Sequence, residues 1–269
     1  MSTKVCSLIA LSLLLCPARF RAQPRSAPNR VEEIRSLSKQ LRWHDECDRE
    51  EYLRTRDEAT QRLLGDVDGF VMESFQPDTS TADLMKAGLD ALLGYRKGDS
   101  MKNEAFSASL PTGRFLIIGV DLRCGGPAIP EDVVSFRAYK ESGDRFVPVA
   151  HAGLWDYATY LDVKPVPAPP IPGELWFLAS AEVPPLTPPT VAMRLYAFDG
   201  NSFRAVWTPK NITAEGSDKA VELTTAGFVI DRLFDPTGVA ALSPTVVIHE
   251  QYILTPDGPR KTNEWETER

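Results

Sequence analysis

Arg194-Leu195-Tyr196-Ala197-Phe198-Asp199-Gly200-Asn201-Ser202-Phe203-Arg204-Ala205-Val206-Trp207 is the stretch that decides the fold. Asp199-Gly200-Asn201 is turn chemistry, because Gly and Asn tolerate the φ > 0 conformations that a tight hairpin requires. The flanks are aromatic and β-branched, as paired strands prefer. The segment predicts a β-hairpin, and it is the clearest of three similar passages.

The same order occurs on either side of it. Phe115–Val120 reads as a buried strand, followed by a proline-bearing loop, a strand over Val133–Tyr139, a Glu-Ser-Gly-Asp turn and a strand over Phe146–Ala150. Leu175–Ala179 leads through Pro184-Pro185-Leu186-Thr187-Pro188-Pro189 into Val191–Phe198 and the hairpin. Val221–Phe234 leads through a loop ending at Pro244 into Val246–Leu254, the turn Pro256-Asp257-Gly258 and a last weak strand. Pro130, Pro189 and Pro244 each precede a middle strand. Val133, Val191 and Val246 lie 58 and 55 residues apart, and Gly143, Gly200 and Gly258 lie 57 and 58 apart. The spacing predicts three copies of a strand–long loop–hairpin unit, about nine largely antiparallel strands in all. An ordinary β-meander with evenly spaced turns is the competing reading. Pro165, Pro167, Pro169, Pro170 and Pro172 predict a stiff connector over 161–173 between the first two units.

Leu195-Tyr196-Ala197-Phe198-Asp199 followed by Trp207 resembles a blade strand of quinoprotein-type propellers, over about a dozen residues. A closed propeller needs at least four blades. Three units point instead to a twisted sheet or sandwich packed by helices, so no cofactor and no function follow from the resemblance.

Those helices are expected upstream. Asn29 is a candidate N-cap, with Glu32 and Glu33 in the first turn. Val31, Ile34, Leu37 and Leu41 form one apolar stripe at helical spacing. Asp45–Arg49, Glu50–Arg54 and Glu58–Arg62 are acid-before-base pairs at i, i+4. Leu64, Val67, Val71 and Phe75 continue a buried stripe, with Gly65 a place for a kink. Ser80 with Asp83 resembles a capping box for a short helix carrying Ala82, Met85, Leu89 and Leu92 and stopping at Gly94. Residues 95–110 read as polar and irregular. The fold class is therefore α+β, with a helical region over 23–110 and a β-rich region over 111–269.

Residues 1–22 are expected to be an export signal. Lys4 supplies a positive start, and Val5–Cys16 is a 12-residue apolar run, too short to span a bilayer. Cleavage is expected after Ala18 or Ala22, which leaves no transmembrane helix in the mature chain. Lipoprotein anchoring at Cys16 is disfavoured by the bulky Leu15 before it, and Arg19, Arg21 and Arg25 are unusual after such a run. The mature chain keeps Cys47 and Cys124, which in an exported protein predict a disulfide worth ~4 kcal/mol across a long loop. Two separate buried thiols are the alternative. A net charge of -7 over 269 residues argues against nucleic acid as a partner.

The candidate chemistry is sparse. Gly98-Asp99-Ser100-Met101 resembles the nucleophile block of GDSL-type esterases, in which a later Asp-x-x-His supplies the base. Here Leu41, Pro148 and Val246 stand three positions before the three histidines, so Ser100 lacks a positioned base. His44, Asp45, Cys47 and Asp48 lack a second ligand pair at zinc spacing. Asp66-Val67-Asp68-Gly69 opens like a calcium loop without the closing glutamate. No metal and no cofactor are therefore expected. His151, Trp155, Asp156, Tyr157 and Tyr160 form the expected binding cluster, in a loop after the third strand. Aromatic faces beside a carboxylate stack on sugars or anchor a protein partner. Asn211-Ile212-Thr213 is a glycosylation sequon. Together these features predict an exported, non-catalytic interaction or scaffold protein of the cell envelope or exterior. Glycan binding through Trp155–Tyr160 is the alternative, and an exported hydrolase a weaker one.

Overall fold

The computed structural model describes residues 27–41, 49–77, 81–95, 103–122, 125–126, 129–130, 133–153, 155–156, 159–183, 190–234 and 246–269; for 27–29, 49–55, 125–126, 129–130, 155–156 and 159–160 only the backbone is described. Residues 1–22, Cys47, Cys124 and Gly98–Met101 lie outside the described residues, as do His44, Asp45 and Asp48, whereas Asn211 is described and exposed.

Three helices come first: α1 (Ala27–Gln40), α2 (Arg49–Ser74) and α3 (Ala82–Leu93). Ile34, Leu37 and Leu41 of the first stripe are buried, as are Leu64, Val67 and Val71 of the second. α1 starts two residues before the expected cap at Asn29. α2 continues through Gly65 and Gly69 without the expected break. Gly69 has a packing reason: a Cβ there would lie 2.1 Å from Nη1 of Arg30, whose guanidinium crosses α2 to reach Asp66 at 3.3 Å and Glu73 at 2.9 Å. Arg62 reaches across to Glu33 on α1 instead of pairing with Glu58 along its own helix. Thr81, not Ser80, caps α3: its side chain accepts from the Leu84 amide at 3.2 Å, and Gly94 closes the helix in the left-handed region.

The remaining chain forms three successive antiparallel sheets. The first contains β1 (Glu104–Leu110), β2 (Gly113–Leu122), β5 (Val133–Ser142) and β6 (Arg145–His151), with a two-stranded ribbon of β3 (Gly125–Gly126) and β4 (Ile129–Pro130) between β2 and β5, and β7 (Trp155–Asp156) paired to the start of β5. The second contains β8 (Thr159–Pro165), β9 (Leu175–Val183), β10 (Thr190–Phe198) and β11 (Phe203–Trp207), with β12 (Ile212–Thr213) paired to the start of β10. The third runs β13 (Val221–Leu223), β14 (Gly227–Phe234), β15 (Val246–Thr255) and β16 (Gly258–Glu268). Each is a four-stranded meander in chain order. Gly143, Gly200 and Gly258 all have positive φ and close the hairpin between the last two strands of their sheets.

The fold class holds in outline, a largely antiparallel β region with helices before it, but each unit has four main strands instead of three. β1 and β8 are additional, and the single strand expected over Val221–Phe234 is divided into β13 and β14. β1 begins at Glu104, so the β region starts inside the stretch expected to be irregular. It is made of small and polar residues, Glu-Ala-Phe-Ser-Ala-Ser-Leu, whose β-propensity is weak, and its full ladder with β2 supplies what propensity does not. β8 occupies the first five residues of the expected 161–173 connector. Pro165 ends that strand at the sheet edge, where a missing amide costs no ladder bond, and the connection proper starts at Val166.

Alternation along the strands stacks the layers. Leu116, Ile118, Val120, Val133 and Tyr139 face the three helices. Phe115, Ile117, Val134, Phe136 and Ala138 leave the other side of the first sheet to meet Leu161, Phe177, Ala179, Tyr196 and Phe198 of the second. Trp176, Leu178, Val191, Met193 and Leu195 leave the second sheet to meet Val221, Phe228 and Ile230 of the third. The order is helices, first sheet, second sheet, third sheet. This strict period-2 division is why β2, β5, β9 and β10 read as near-continuous apolar runs: they are covered on both faces.

Candidate functional site

The third sheet turns Phe228 and Ile230 inward, so Val229, Asp231 and Leu233 point to the far face of the stack. The register then fixes their neighbours. Asp231 stands opposite His249 on β15, and His249 stands opposite Trp265 on β16. Val247 stands opposite Thr267 one step further along. This outward face carries a polar line through three strands. Asp231 Oδ1 is 2.7 Å from Nδ1 of His249, and Nε2 of His249 is 2.8 Å from Oγ1 of Thr267. A carboxylate only accepts, so Nδ1 donates to Asp231, while the direction of the bond between Nε2 and the Thr267 hydroxyl follows the protonation of the ring. The His249 ring also stacks on Trp265, centroids 5.0 Å apart with 16° between planes.

The order carboxylate–imidazole–hydroxyl is the one that activates a hydroxyl nucleophile. Acyl transfer also demands donors aimed at the developing oxyanion and a site that excludes water. Here the Asp231 side chain is 41% exposed and Trp265 is 38% exposed, with the His249 side chain between them at 18%, and among the described residues no second layer encloses the line. What the bonds accomplish directly is to fix the imidazole between the row Leu233, Val247 and Thr267 on one side and the row Val229, Gln251 and Asn263 on the other.

The inward face of the same sheet ends in a second polar cluster. Glu250 accepts from Tyr252 at 2.9 Å and Lys261 at 3.0 Å, with Arg232 at 3.5 Å. Burial pushes the Glu250 carboxyl up, but the hydrogen bonds from Lys261 and Tyr252, with the charges of Lys261 and Arg232, outweigh it and hold the carboxyl below its ordinary value. Burial first, then the bond to Glu250, push Tyr252 up to about 12. Its ring packs against Phe228 and Trp207, closing the interface with the second sheet.

The residues expected to bind are distributed differently from the sequence reading. His151 is exposed at the end of β6, opposite Arg137. Trp155 and Asp156 form β7 beside Val134 and Val133, and Tyr160 belongs to β8 in the second sheet. The expected single loop is thus a crossover with a strand on each side, tied to two sheets. Tyr157 lies outside the described residues. Asp66 and Asp68, expected at most as part of a calcium loop, lie on α2 and are engaged by Arg30 and Arg137. Among the described residues there is no group of three His, Cys, Asp or Glu that could hold a metal, and no helix long and apolar enough to cross a membrane.

The Asp231–His249–Thr267 line escapes a search for Asp-x-x-His because its members come together across strands. Its one signal in the sequence is spacing: 18 residues separate each pair, the pitch of successive hairpin arms. The chain matches no known family model, no curated protein and no solved structure.

Proposed function

We propose that the chain is an exported, non-catalytic interaction protein of the cell envelope or exterior, and that it meets a protein partner through the outward face of the third sheet. The observation that carries this reading is the unequal closure of the stack. Among the described residues one end is covered by three helices, whereas the other presents Trp265, His249, Val229 and Val247 among Asp231, Gln251 and Asn263. That mixture of ring edges, aliphatic groups and hydrogen-bonding groups suits a non-obligate protein interface, in which an aromatic anchor sits within a polar rim. The Val5–Cys16 apolar run supports export.

The test is covalent capture in the intact envelope of the native host, comparing wild type with Trp265→Ala. Capture of one reproducible protein species, lost in Trp265→Ala while the fold persists by circular dichroism, is the expected result. Capture unchanged by the substitution would refute the proposed surface. Retention on a glycan matrix, abolished by Trp155→Ala and Tyr157→Ala, would replace the protein partner with a sugar. Recovery of the protein only from the cytoplasm would overturn export.

A further inference from the structure

The second sheet carries a polar patch on the side that meets the third. Leu178, Ser180 and Glu182 share that side of β9, and Asp162 of β8 stands opposite Ser180. Residues 214–220, which join β12 to β13, lie against this patch. Ser180 donates to the Ser217 carbonyl at 2.9 Å, and Glu182 accepts from the Ser217 amide at 3.2 Å. Lys164 donates to the carbonyls of Asp218 and Val221 at 2.7 and 2.6 Å. Three side chains of the second sheet thus hold the segment that leads into the third. The segment in turn fixes β14. The Ala220 amide closes the turn on the Gly216 carbonyl, and the Ala220 carbonyl accepts from the Asp231 amide, both at 3.0 Å.

One pairing in the patch is unfavourable. A Cβ added at Gly216 would lie 2.9 Å from Oδ1 of Asp218 and 3.3 Å from Oε1 of Glu182, so the two carboxylates flank one small gap. The described cations nearby are engaged by other groups: Lys164 by two carbonyls and Asp162, and both Lys219 and Arg269 by Glu215. The strands on either side of β9 set uncharged Thr159 and Val191 opposite Glu182. Burial holds the Glu182 carboxyl above its ordinary range; the bond from the Ser217 amide opposes the rise, and the Asp218 charge adds to it. The folded chain therefore binds this proton more tightly than the unfolded chain does. The resulting stability is complete below the ordinary carboxylate range and is lost as pH rises through the folded value.

We propose that the Glu182–Asp218 pair makes the joint between the second and third sheets a pH-sensitive clamp, tight in weak acid and loosened at neutral pH, where like charges face each other across Gly216. The third sheet carries the Trp265–His249 face, so the seating of that face is what acid alters. The clamp does not depend on the partner reading, since it is measured on the isolated protein.

The experiment is amide exchange at Ala220 and Asp231, comparing variants with wild type at each pH so that the intrinsic pH dependence of exchange cancels. Glu182→Gln keeps an acceptor for the Ser217 amide and removes the charge. At neutral pH it should slow both amides by roughly two- to fivefold, the scale of a partly exposed charge pair. The ratio to wild type should fall to one in weak acid. Asp218→Asn should slow them equally, and the double variant no further, because either change removes the same repulsion. Faster exchange in Glu182→Gln would overturn the proposal. So would a ratio that stays constant with pH, which marks a purely structural role, or an Asp218→Asn indistinguishable from wild type.

Discussion

Replacing Asp68 by Ala should destabilise the packing of the helices on the first sheet by about 3 kcal/mol, a value set by what its carboxylate holds. Asp68 projects from α2 and accepts from Nε of Arg137 at 2.5 Å, from Nη2 of the same guanidinium, and from the Tyr139 hydroxyl at 2.6 Å. Both donors come from β5. The Arg137 and Asp68 side chains are 11% and 16% exposed, and Tyr139 is fully buried. Burial works to lower the Arg137 pKa, but the Asp68 hydrogen bond and charge more than reverse it. Burial, reinforced by the Asp68 charge, keeps Tyr139 neutral far above its ordinary range. Alanine would leave a guanidinium in a low-dielectric layer with no counter-charge and a phenol with no acceptor. Removing one side of a buried pair costs about 3–5 kcal/mol, and the residual exposure of this pair selects the lower end. Urea unfolding of Asp68→Ala, Arg137→Ala and the double variant gives the coupling directly. Asp68→Leu with Arg137→Met and Tyr139→Phe should recover most of the loss, because the penalty is an unpaired charge and not a missing volume. A single Asp68→Ala within about 0.5 kcal/mol of wild type, the range of ordinary surface substitutions, would refute the argument.

Two further perturbations test the stack itself. Gly119→Ala would put a Cβ 2.9 Å from Cδ2 of Leu161 and 3.0 Å from Cε1 of Phe136, where the first and second sheets meet; overpacking of about 1–3 kcal/mol should lower the thermal midpoint, and an unchanged midpoint would show that the two sheets are not in contact there. Glu250 tests the third sheet through pH. Its folded pKa is lowered, so the stability it contributes is present above the unfolded carboxylate range and is lost as pH falls through the folded value. Glu250→Gln should therefore be less stable than wild type at neutral pH, by about 1 kcal/mol, and the gap should close in acid; a constant gap from neutral to acid pH would contradict the assigned network. Tyr252 has the opposite sign, its contribution persisting below its ordinary value and disappearing only as pH rises past about 12.

Much of the β architecture was legible because the strands covered on both faces announce themselves. Phe115–Val120, Leu175–Ala179 and Val191–Phe198 are runs of large apolar or β-branched residues, and the hairpin glycines sit where φ must be positive. The strands that open the first two sheets were illegible for a physical reason. β1 is an edge strand with small side chains and β8 is bounded by a proline cluster, so their conformation is set by the partner strand instead of local preference, whereas β13 and β14 read as one strand over Val221–Phe234 because the turn between them is short. The helix cap was misplaced by one residue because Ser80 and Thr81 are chemically equivalent candidates, and only the bond to the Leu84 amide distinguishes them. The outward polar line was illegible as a site because Asp231, His249 and Thr267 are neighbours only once the register is known. A shift of one residue in β15 would send His249 to the inner face.

The composition of that outward face also bears on why three sheets suffice. In the first two sheets both faces carry large apolar residues, and each face is covered, by the helices or by the next sheet. The third sheet breaks the pattern: behind Phe228 and Ile230 stand Val229 and Asp231, and behind Glu250 and Tyr252 stand His249 and Gln251. A fourth sheet of the same kind would have to bury Asp231, Gln251 and Asn263, each at the cost of an unpaired polar group. The helices solve the same problem at the opposite end by the opposite means, covering a face that Leu116, Ile118 and Val120 make too apolar for water. Among the described residues the stack thus ends in a cap on one side and in polar substitution on the other. A partner that uses the polar end must supply matching hydrogen bonds and not a second apolar core, which is the physical reason to expect its binding to be reversible and strongly dependent on the few anchoring rings.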